Sequence, residues 1–378
     1  MNVEQIHLID YTVPPETSKR SPTSVDLQLT GKCNLSCAYC YYADQMKSKQ
    51  DLNTESWHSI ISELGNLAVC SVTLSGGEPF MRNDLFTLID YITDNKMRYT
   101  ILSNGSLIDC DIIKKFSVGK RKIRLDTIQI SIDGSCAEIH DLSRPPKSFK
   151  RAIRGINLLK EANLPVSVRV TLNAHNINDF DNIAHLLINE LGFSTFSIDE
   201  AHSMGTARCQ GKKILLSHEQ RDIAVQKLME LNKQYDGKIT VQGGPLAIAQ
   251  RIGTIDQLCS SGEKYPDRKG TLSACWEVFS QMCILHDGTM VPCSMLPTLV
   301  MGVAGMHPIR DAWLYSPAIN VVRYRGLIPL TSLSSCSACD YTGFCTGGCP
   351  ADVMAENGNL LGIDPLSCYT YHKERGRF

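Results

Sequence analysis

The stretch Thr30-Gly-Lys-Cys-Asn-Leu-Ser-Cys-Ala-Tyr-Cys-Tyr-Tyr42 places three thiols, those of Cys33, Cys37 and Cys40, within eight residues. It directly follows residues 25–29, whose alternating apolar side chains are typical of a strand. Thiolates are the usual ligands of iron–sulfur clusters, and a [4Fe–4S] cluster normally takes four of them. Three thiols therefore predict a cluster with one iron open to a non-protein ligand. A zinc site is the alternative, but zinc prefers four ligands in close pairs, and no second pair follows nearby.

A second motif, Ser75-Gly76-Gly77-Glu78-Pro79, follows one predicted helix and one predicted strand later. Its glycines allow the backbone to approach a ligand closely, and its proline stiffens the exit. The C-x3-C-x2-C spacing and this G-G-E-P element together resemble the radical S-adenosylmethionine (SAM) enzymes. In that family the open iron chelates SAM, whose cleavage gives a 5′-deoxyadenosyl radical that abstracts hydrogen from the substrate. The resemblance implies that Cys33, Cys37 and Cys40 hold the catalytic cluster. It also implies that Gly76, Gly77, Glu78 and Pro79 contact SAM.

Strands and helices alternate through the first half of the chain. Beyond residues 25–29, strands are predicted at 72–74, 98–102, 127–132, 166–172 and 194–198, with amphipathic helices between them. One of these helices is predicted to begin at Ser148 as its N-cap. Such alternation favours a parallel sheet with right-handed crossovers. Six βα units fit the α/β fold that the resemblance implies, a partial (β/α)6 TIM-type barrel.

Polar residues follow several of these strands, where a barrel of this kind carries its chemistry. The resemblance implies SAM contacts for four of them, although turn formation is an equal alternative: Ser103, Asn104, Ser131 and Asp133. The run from His140 to Arg144 resembles an H-D-x-x-R element, and Arg144 could bind a carboxylate of SAM or substrate, or anchor the loop. Asp199 and Glu200 could accept a proton, but solvated loop charges are the favoured interpretation. The polar segment 207–213 is expected to form a loop over the barrel mouth.

Cysteine density rises again near the C-terminus. Cys275 is followed after twelve residues by Gly288 and after four more by Cys293, with Asp287-Gly288 as a hairpin signal. The next group has the spacing C-x2-C-x5-C-x3-C-x18-C and comprises Cys336, Cys339, Cys345, Cys349 and Cys368. These spacings resemble the SPASM domain, which carries up to two auxiliary [4Fe–4S] clusters. A zinc ribbon is the alternative.

The resemblance divides these cysteines into two sets. An outer set would hold one cluster: Cys336, Cys339, Cys345 and Cys368. An inner set would hold the other: Cys275, Cys293 and Cys349. Cys283, Cys259 and an open iron remain equal possibilities for the fourth inner position. The expected cofactors are therefore three [4Fe–4S] clusters, one of which binds SAM, and SAM itself.

Composition agrees with a cytoplasmic enzyme. The chain has sixteen cysteines but no apolar signal segment at its start, so the thiols are expected to remain reduced. No stretch approaches a membrane span, and a net charge of −1 with scattered basic residues argues against nucleic acid. Four cysteines match no cluster spacing and are predicted to be small buried hydrophobes: Cys70, Cys110, Cys136 and Cys209.

The length allows about two domains. The predicted division is an N-terminal extension (1–24), the barrel (25–215), a bridging helix–strand region (216–258) and the SPASM domain (259–378). Ser217 and Gln220 form a predicted capping box that opens a helix to about residue 234. Fewer than thirty residues precede the first strand, too few for a leader-binding module. A separate leader-binding protein, a substrate strand added to a sheet edge, or no leader at all would then be required.

SPASM proteins modify ribosomally made peptides, oxidise sulfatases to formylglycine, or process haem and cofactor precursors. The segment Cys-Ala-Tyr-Cys-Tyr-Tyr resembles the peptide- and protein-modifying branch. Sulfatase-maturating enzymes place an aspartate base where this chain has Ser294, which disfavours formylglycine formation. The sequence therefore predicts a maturase that cross-links a precursor peptide, by a thioether or carbon–carbon bond, with a flavodoxin or ferredoxin as electron donor. The alternatives are maturation of a tetrapyrrole or other small cofactor precursor, formylglycine formation, and an inactive metal-binding scaffold.

Overall fold

The computed structural model describes residues 10–47, 50–241, 244–247, 261, 270–339, 341–343 and 345–368. Cys259 therefore lies outside the described residues. The fold is organised by one ten-stranded sheet in the order β10-β9-β8-β1-β2-β3-β4-β5-β6-β7. Its strands are β1 Ser24–Thr30, β2 Ser71–Gly76, β3 Arg98–Ser103, β4 Leu125–Ser131, β5 Val166–Leu172, β6 Phe196–Glu200, β7 Ile239–Val241, β8 Gln281–Ile284, β9 Thr289–Val291 and β10 Gly302–Val303.

The six predicted strands, β1 to β6, form the middle of this sheet and pair in parallel, as the barrel prediction required. Each flank adds one more parallel strand, β7 beside β6 and β8 beside β1. β9 and β10 continue the sheet in antiparallel pairing, and Asp287-Gly288 forms the predicted turn between β8 and β9. The C-terminal part of the chain therefore extends the same sheet as the barrel strands.

Helices cover the outer face of the sheet. Their bounds are α1 Thr54–Asn66, α2 Leu85–Asp94, α3 Cys110–Lys115, α4 Arg121–Arg124, α5 Ala137–Ser143, α6 Ser148–Glu161, α7 Phe180–His185, α8 Gly205–Gln210, α9 His218–Gln234, α10 Ile309–Tyr315, α11 Pro317–Arg325 and α12 Pro350–Asn357. The capping box at Ser217 and Gln220 is present, as predicted. The cap predicted at Ser148 is wrong by one residue, because Lys147 takes that place with a φ of 69°. Ser148 Oγ instead donates to Asp141 Oδ1 at 2.9 Å.

The two faces of the parallel sheet differ in chemistry, because successive side chains point to opposite sides. Outward-facing aliphatic residues such as Leu27, Ile101 and Val170 are fully buried in one core with the helices. The opposite face, here called the inner wall, is polar and mostly partly accessible. Its members in β1 to β6, read from the strand alternation and register, are Asp26, Gln28, Thr73, Ser75, Thr100, Leu102, Thr127, Gln129, Ser131, Ser167, Arg169, Thr171, Ser197 and Asp199.

The four cysteines outside the cluster spacings were predicted to be buried, and that prediction is wrong. Cys70, Cys110 and Cys209 are exposed and Cys136 is partly exposed. Cys70 precedes β2, Cys110 begins a short surface helix and Cys209 lies on α8, so none of these positions faces the core. Among the described residues, no helix has both the length and the apolar character that a membrane crossing needs.

Candidate functional site

The two N-terminal motifs contact each other at the ends of β1 and β2. The backbone N–H of Gly77 donates to the Thr30 carbonyl at 2.7 Å, and that of Glu78 donates to the Lys32 carbonyl at 2.8 Å. A Cβ at Gly77 would lie 2.0 Å from the Lys32 carbonyl oxygen, so no other residue fits without moving the backbone. The glycine turn therefore packs directly against residues 31–40, here called the cysteine loop.

Glu78 joins the end of β2 to the end of β3. Its carboxylate accepts hydrogen bonds from Ser103 Oγ at 2.9 Å, the Asn104 backbone N–H at 2.8 Å and the Phe80 backbone N–H at 3.2 Å. Burial raises the pKa of Glu78 to about 7, although these hydrogen bonds oppose the rise. Pro79 is buried and opens the single turn Pro79–Met81. Four predicted site residues, Glu78, Pro79, Ser103 and Asn104, are thus brought together.

Asn104 also ties β3 to the cysteine loop. Its Nδ2 donates to Asn34 Oδ1 at 3.0 Å, and Asn34 Nδ2 donates to Ser106 Oγ at 2.8 Å. Ser106 Oγ in turn donates to Asn104 Oδ1 at 2.6 Å. The sequence prediction did not include Asn34 or Ser106, but their polar side chains flank the predicted residues Cys33 and Asn104. This closed set of amide and hydroxyl groups fixes the N-terminal half of the cysteine loop.

Asp133 and Arg144 form a buried ion pair that includes the aromatic residue of the cysteine loop. Asp133 accepts from the Arg144 Nε, from the Tyr39 hydroxyl and, at 2.8 Å, from the Thr171 backbone N–H. The Arg144 guanidinium carbon lies 5.6 Å from the centre of the Tyr39 ring. Burial alone raises the pKa of Asp133, but the Arg144 charge and the hydrogen bonds from Tyr39 and Thr171 outweigh it and hold that pKa below its usual range. Ser131, also a predicted site residue, lies on the inner wall and is partly accessible.

Arg144 acts electrostatically on all three thiols of the cysteine loop. Burial raises the pKa of Cys33, Cys37 and Cys40, that of Cys37 to about 12, and the Arg144 charge opposes the rise at each. A thiol must lose its proton to bind iron, so this cation favours the ligating form. The three thiols are a donor set for an open-iron cluster, and the nearby cation favours their thiolate form. The glycine turn adds no side chains beside them. This arrangement fits an open-iron cluster.

A short helix covers the same loop. The Thr206 backbone N–H donates to the Cys40 carbonyl at 3.1 Å, and Thr206 Oγ1 donates to the Cys37 carbonyl at 3.0 Å. Gly205 has a φ of 52°, and a Cβ there would lie 2.1 Å from the Cys40 carbonyl oxygen. Residues 207–213, predicted as a loop, are instead the end of α8 and a 3-10 turn at Gly211–Lys213. The segment therefore packs a short helix against the cysteine loop and supports it.

The outer set of cysteines lines one cavity. Its volume is about 400 Å³, and its walls include Cys336, Cys339, Cys345 and Cys368. Burial raises the pKa of Cys345 to about 11, and the other three cysteines of the set add to the rise. Four thiols around one cavity fit a fully ligated cluster. In the described part of the chain, no three Cys, His, Asp or Glu side chains lie close enough to hold a single metal ion.

The cysteines of the inner set affect one another's pKa values. Burial raises the pKa of Cys293 to about 12, and Cys275 contributes to the rise. Burial likewise raises the pKa of Cys349, with smaller contributions from Asp352 and Cys293. Cys283 lies on β8 opposite Asp26 of β1, so it belongs to the inner-wall face of the sheet. Burial raises the pKa of Cys283 too, and Cys293 adds to that rise, which places Cys283 within electrostatic range of the inner set.

Asp199 and Glu200 are not solvated charges, and that prediction is wrong. Asp199 Oδ2 lies 2.6 Å from Arg169 Nη2, and the buried Glu200 Oε2 lies 2.9 Å from Arg221 Nε. The two carboxylates leave opposite faces of β6, Asp199 toward the inner wall and Glu200 toward α9. Local sequence could not reveal this, because both cationic partners come from distant elements.

Comparisons with known proteins agree with this geometry. Residues 27–187 match the radical SAM superfamily model, and residues 275–340 match the SPASM iron–sulfur cluster-binding domain model. An AdoMet-dependent heme synthase of Methanosarcina barkeri is 26% identical, over 92% of this chain and 97% of its own length. The PqqA peptide cyclase of Ruegeria pomeroyi is 25% identical, over 93% of this chain and 88% of its own length.

Among solved structures, Streptococcus suis SuiB bound to S-adenosylmethionine superposes with a TM-score of 0.67 at 17% identity. The match covers 92% of this chain and 77% of SuiB, and it supports the fold. The two family models together support iron–sulfur clusters and SAM as the cofactors of this protein. The chain is a radical SAM enzyme with a C-terminal SPASM iron–sulfur domain.

Proposed function

We propose that this enzyme modifies a ribosomally made precursor peptide, by forming a thioether or carbon–carbon cross-link within it. In this proposal Cys33, Cys37 and Cys40 hold the catalytic [4Fe–4S] cluster. Eight residues around the mouth of the barrel hold SAM: Gly76, Gly77, Pro79, Ser103, Asn104, Ser131, Asp133 and Arg144. Glu78 belongs to the same SAM site, in which its carboxylate also fixes the ends of β2 and β3. The outer set and the inner set each hold one auxiliary cluster. Together with the catalytic cluster, this gives three clusters.

The inner wall is the observation that carries the choice of a peptide. Ten of its fourteen members are Ser, Thr or Gln, so it presents mainly hydroxyl and amide groups to whatever enters the barrel. A peptide backbone offers a donor and an acceptor at each residue and can pair with such groups. The apolar faces of a tetrapyrrole would cover the same groups and leave them unpaired, which is costly. The similarity to a PqqA peptide cyclase supports the same substrate class.

The bound cluster and SAM would supply the radical that takes a hydrogen atom from the substrate. The chain's own residues would place the substrate near the mouth of the barrel, beside α8 and the cysteine loop. Selective transfer requires that the reacting atoms be held roughly 3–4 Å apart. Cross-linking removes two electrons in all, and we assign the exit of the surplus electron to the auxiliary clusters. A flavodoxin or ferredoxin would deliver the starting electron, and a separate protein could hold the leader.

The proposal keeps the division into an extension (1–24), a barrel (25–215), a bridging region (216–258) and a SPASM domain (259–378). In it, α9 and β7 connect the barrel to the SPASM domain along the chain. The bridge contains Arg221, whose ion pair with Glu200 attaches α9 to β6. The barrel would then generate the radical, and the SPASM domain would remove the surplus electron.

The test uses anaerobically reconstituted enzyme, a chemical reductant, SAM and synthetic peptides encoded by short reading frames next to the gene. A cross-link lowers the peptide mass by two hydrogens, and mass spectrometry with fragmentation locates the bond. The matched control is the Cys33/Cys37/Cys40→Ala variant, which should release no 5′-deoxyadenosine. Release of 5′-deoxyadenosine by the wild type without any change in these peptides would overturn the peptide proposal. No release at all would favour the inactive metal-binding scaffold.

A tetrapyrrole precursor is the second candidate. An AdoMet-dependent heme synthase and an Fe-coproporphyrin III synthase, both of Methanosarcina barkeri, are 26% and 27% identical over nearly the whole chain. Incubation of the same reconstituted enzyme with Fe-coproporphyrin III separates the two candidates. Loss of carboxyl groups from this porphyrin would favour the second. Formylglycine formation remains the least favoured outcome, because Ser294 offers no carboxylate base after Cys293.

A further inference from the structure

His202, which belongs to none of the sequence motifs, lies between two carboxylates. Its Nδ1 is 2.7 Å from Asp352 Oδ1, and its Nε2 is 3.6 Å from Asp199 Oδ2. An imidazole ring that faces an acceptor at both nitrogens donates at both only when it is protonated. Burial lowers the pKa of His202, but the two carboxylates outweigh burial and hold it well above the usual range. The side chain is therefore a largely buried imidazolium ion.

The two carboxylates belong to different parts of the molecule. Asp199 ends the inner wall at β6 and also pairs with Arg169 of β5. Asp352 lies in the first turn of α12, the helix that begins directly after Cys349. The backbone N–H of Asp352 donates to the Cys349 sulfur and favours its thiolate. His202 thus connects the wall of the barrel to the residue that contacts an inner-set cysteine.

The charged groups around His202 determine the sign of its electrostatic effect on the inner set. The charged groups that act on it are Asp199, Asp352 and Glu200, of which Asp199 pairs with Arg169 and Glu200 with Arg221. Asp364, a buried carboxyl group that acts on Asp352, lies within electrostatic range of the Arg325 guanidinium. Glu200 and Arg221 neutralise each other, and Arg169 offsets Asp199. The imidazolium is then the cation that offsets Asp352. Groups beyond the direct ligands are known to tune the potentials of iron–sulfur sites.

We propose that His202 is a positioning residue that holds α12 and Cys349 against the barrel and raises the reduction potential of the inner auxiliary cluster. The proposal rests on the proposed function, which assigns that cluster to Cys275, Cys293 and Cys349. Reduction adds one negative charge to the cluster, and a fixed positive charge nearby stabilises the reduced form. The electron that leaves the substrate would then have a more favourable acceptor.

The test is an anaerobic redox titration of the full-length reconstituted protein, followed by electron paramagnetic resonance of the auxiliary clusters. His202→Asn keeps a donor toward Asp352 but removes the charge. We expect the inner-cluster potential to become more negative, by about tenfold in the reduction equilibrium or about 59 mV. Asp352→Asn removes the negative charge instead, and we expect a shift of the opposite sign. His185→Asn, in the exposed pair with Glu190, is the matched control and should change nothing.

Opposite shifts in the two variants support the proposal. A residue that only held the structure in place would shift both potentials in the same direction or leave both unchanged. Equal or absent shifts would overturn it. Should His202→Asn lose iron, His202→Gln, whose amide can reach Asp199, gives the same comparison against Asp352→Asn. Failure of the proposed function has a different signature. In that case Cys349→Ala would leave the iron content and every auxiliary signal of the wild type unchanged.

Discussion

Gly77 is the residue at which the two N-terminal motifs meet, and it has no room for a side chain. We expect Gly77→Ala to displace the cysteine loop, because its Cβ would lie 2.0 Å from the Lys32 carbonyl oxygen. The variant should lose about four irons, those of one [4Fe–4S] cluster, and retain the auxiliary ones. Gly343→Ala is the matched control, since no atom lies within 4 Å of its added Cβ. Full iron content in Gly77→Ala would contradict the close packing of the two motifs.

Glu78 makes a second residue-scale prediction, about pH. Its folded-state pKa is about 7, above the ordinary value of 4.5, because the carboxyl group is buried. A raised pKa means that the folded state holds this proton more tightly. Its stabilising contribution is complete below about pH 4.5 and is lost as the pH rises through 7.

Glu78→Gln cannot ionise, so it should remove this part of the pH dependence. Between pH 5 and pH 8 the cluster-free wild type should lose about 2 kcal/mol more free energy of unfolding than the variant. Anaerobic urea denaturation at several pH values measures the difference. Parallel pH profiles for the two proteins would show that Glu78 titrates normally.

At the scale of elements, the ion pair between Glu200 and Arg221 attaches α9 to the end of β6. Both side chains are 6% exposed, so the loss of one partner leaves a buried charge without compensation. Arg221→Met should lower the free energy of unfolding by about 3 kcal/mol. Adding Glu200→Gln to that variant should recover much of the loss, and a double-mutant cycle measures the coupling. Lys114→Ala, in an exposed pair with Asp111, should leave the free energy of unfolding almost unchanged, because solvent screens such pairs.

Elements set by local pattern could be predicted from the sequence, whereas contacts between distant elements could not. The strand Val166–Leu172 and the capping box at Ser217 agree with the predictions because periodicity and side-chain spacing determine them. β6 lies two residues later than predicted, and α8 was predicted as a loop. Tertiary contacts decide both positions: β6 follows its register with β5, and α8 packs on the cysteine loop.

The candidate site follows the same rule. Motif spacing predicted which residues approach the mouth of the barrel, and Glu78, Ser103, Asn104, Asp133 and Arg144 do lie there. It did not predict that Tyr39 would bond to both members of the Asp133–Arg144 pair. Nor did it predict His202, whose partners are 3 and 150 residues away along the chain. The pairing with Asp352, 150 residues away, leaves no local signal.

At the scale of the whole molecule, the cysteine sets predict how much iron the protein binds. Reconstituted wild type should contain about twelve irons, and the Cys33/Cys37/Cys40→Ala variant about eight. Replacement of the outer set by alanine should also leave about eight, and that variant should still release 5′-deoxyadenosine. Anaerobic iron and sulfide analysis measures each value. About four irons in the wild type would mean that the C-terminal cysteines hold no clusters.

β1 is an internal strand of the sheet, hydrogen-bonded to β2 on one side and to β8 on the other. The strand that leads into the cysteine loop is thus directly paired with the strand that follows Cys275. In the proposed arrangement of clusters, main-chain hydrogen bonds therefore fix the spacing between the cysteine loop and the segment that carries Cys275 and Cys293. It does not depend on how one domain docks against another. We therefore expect this spacing to be the same with or without a bound substrate.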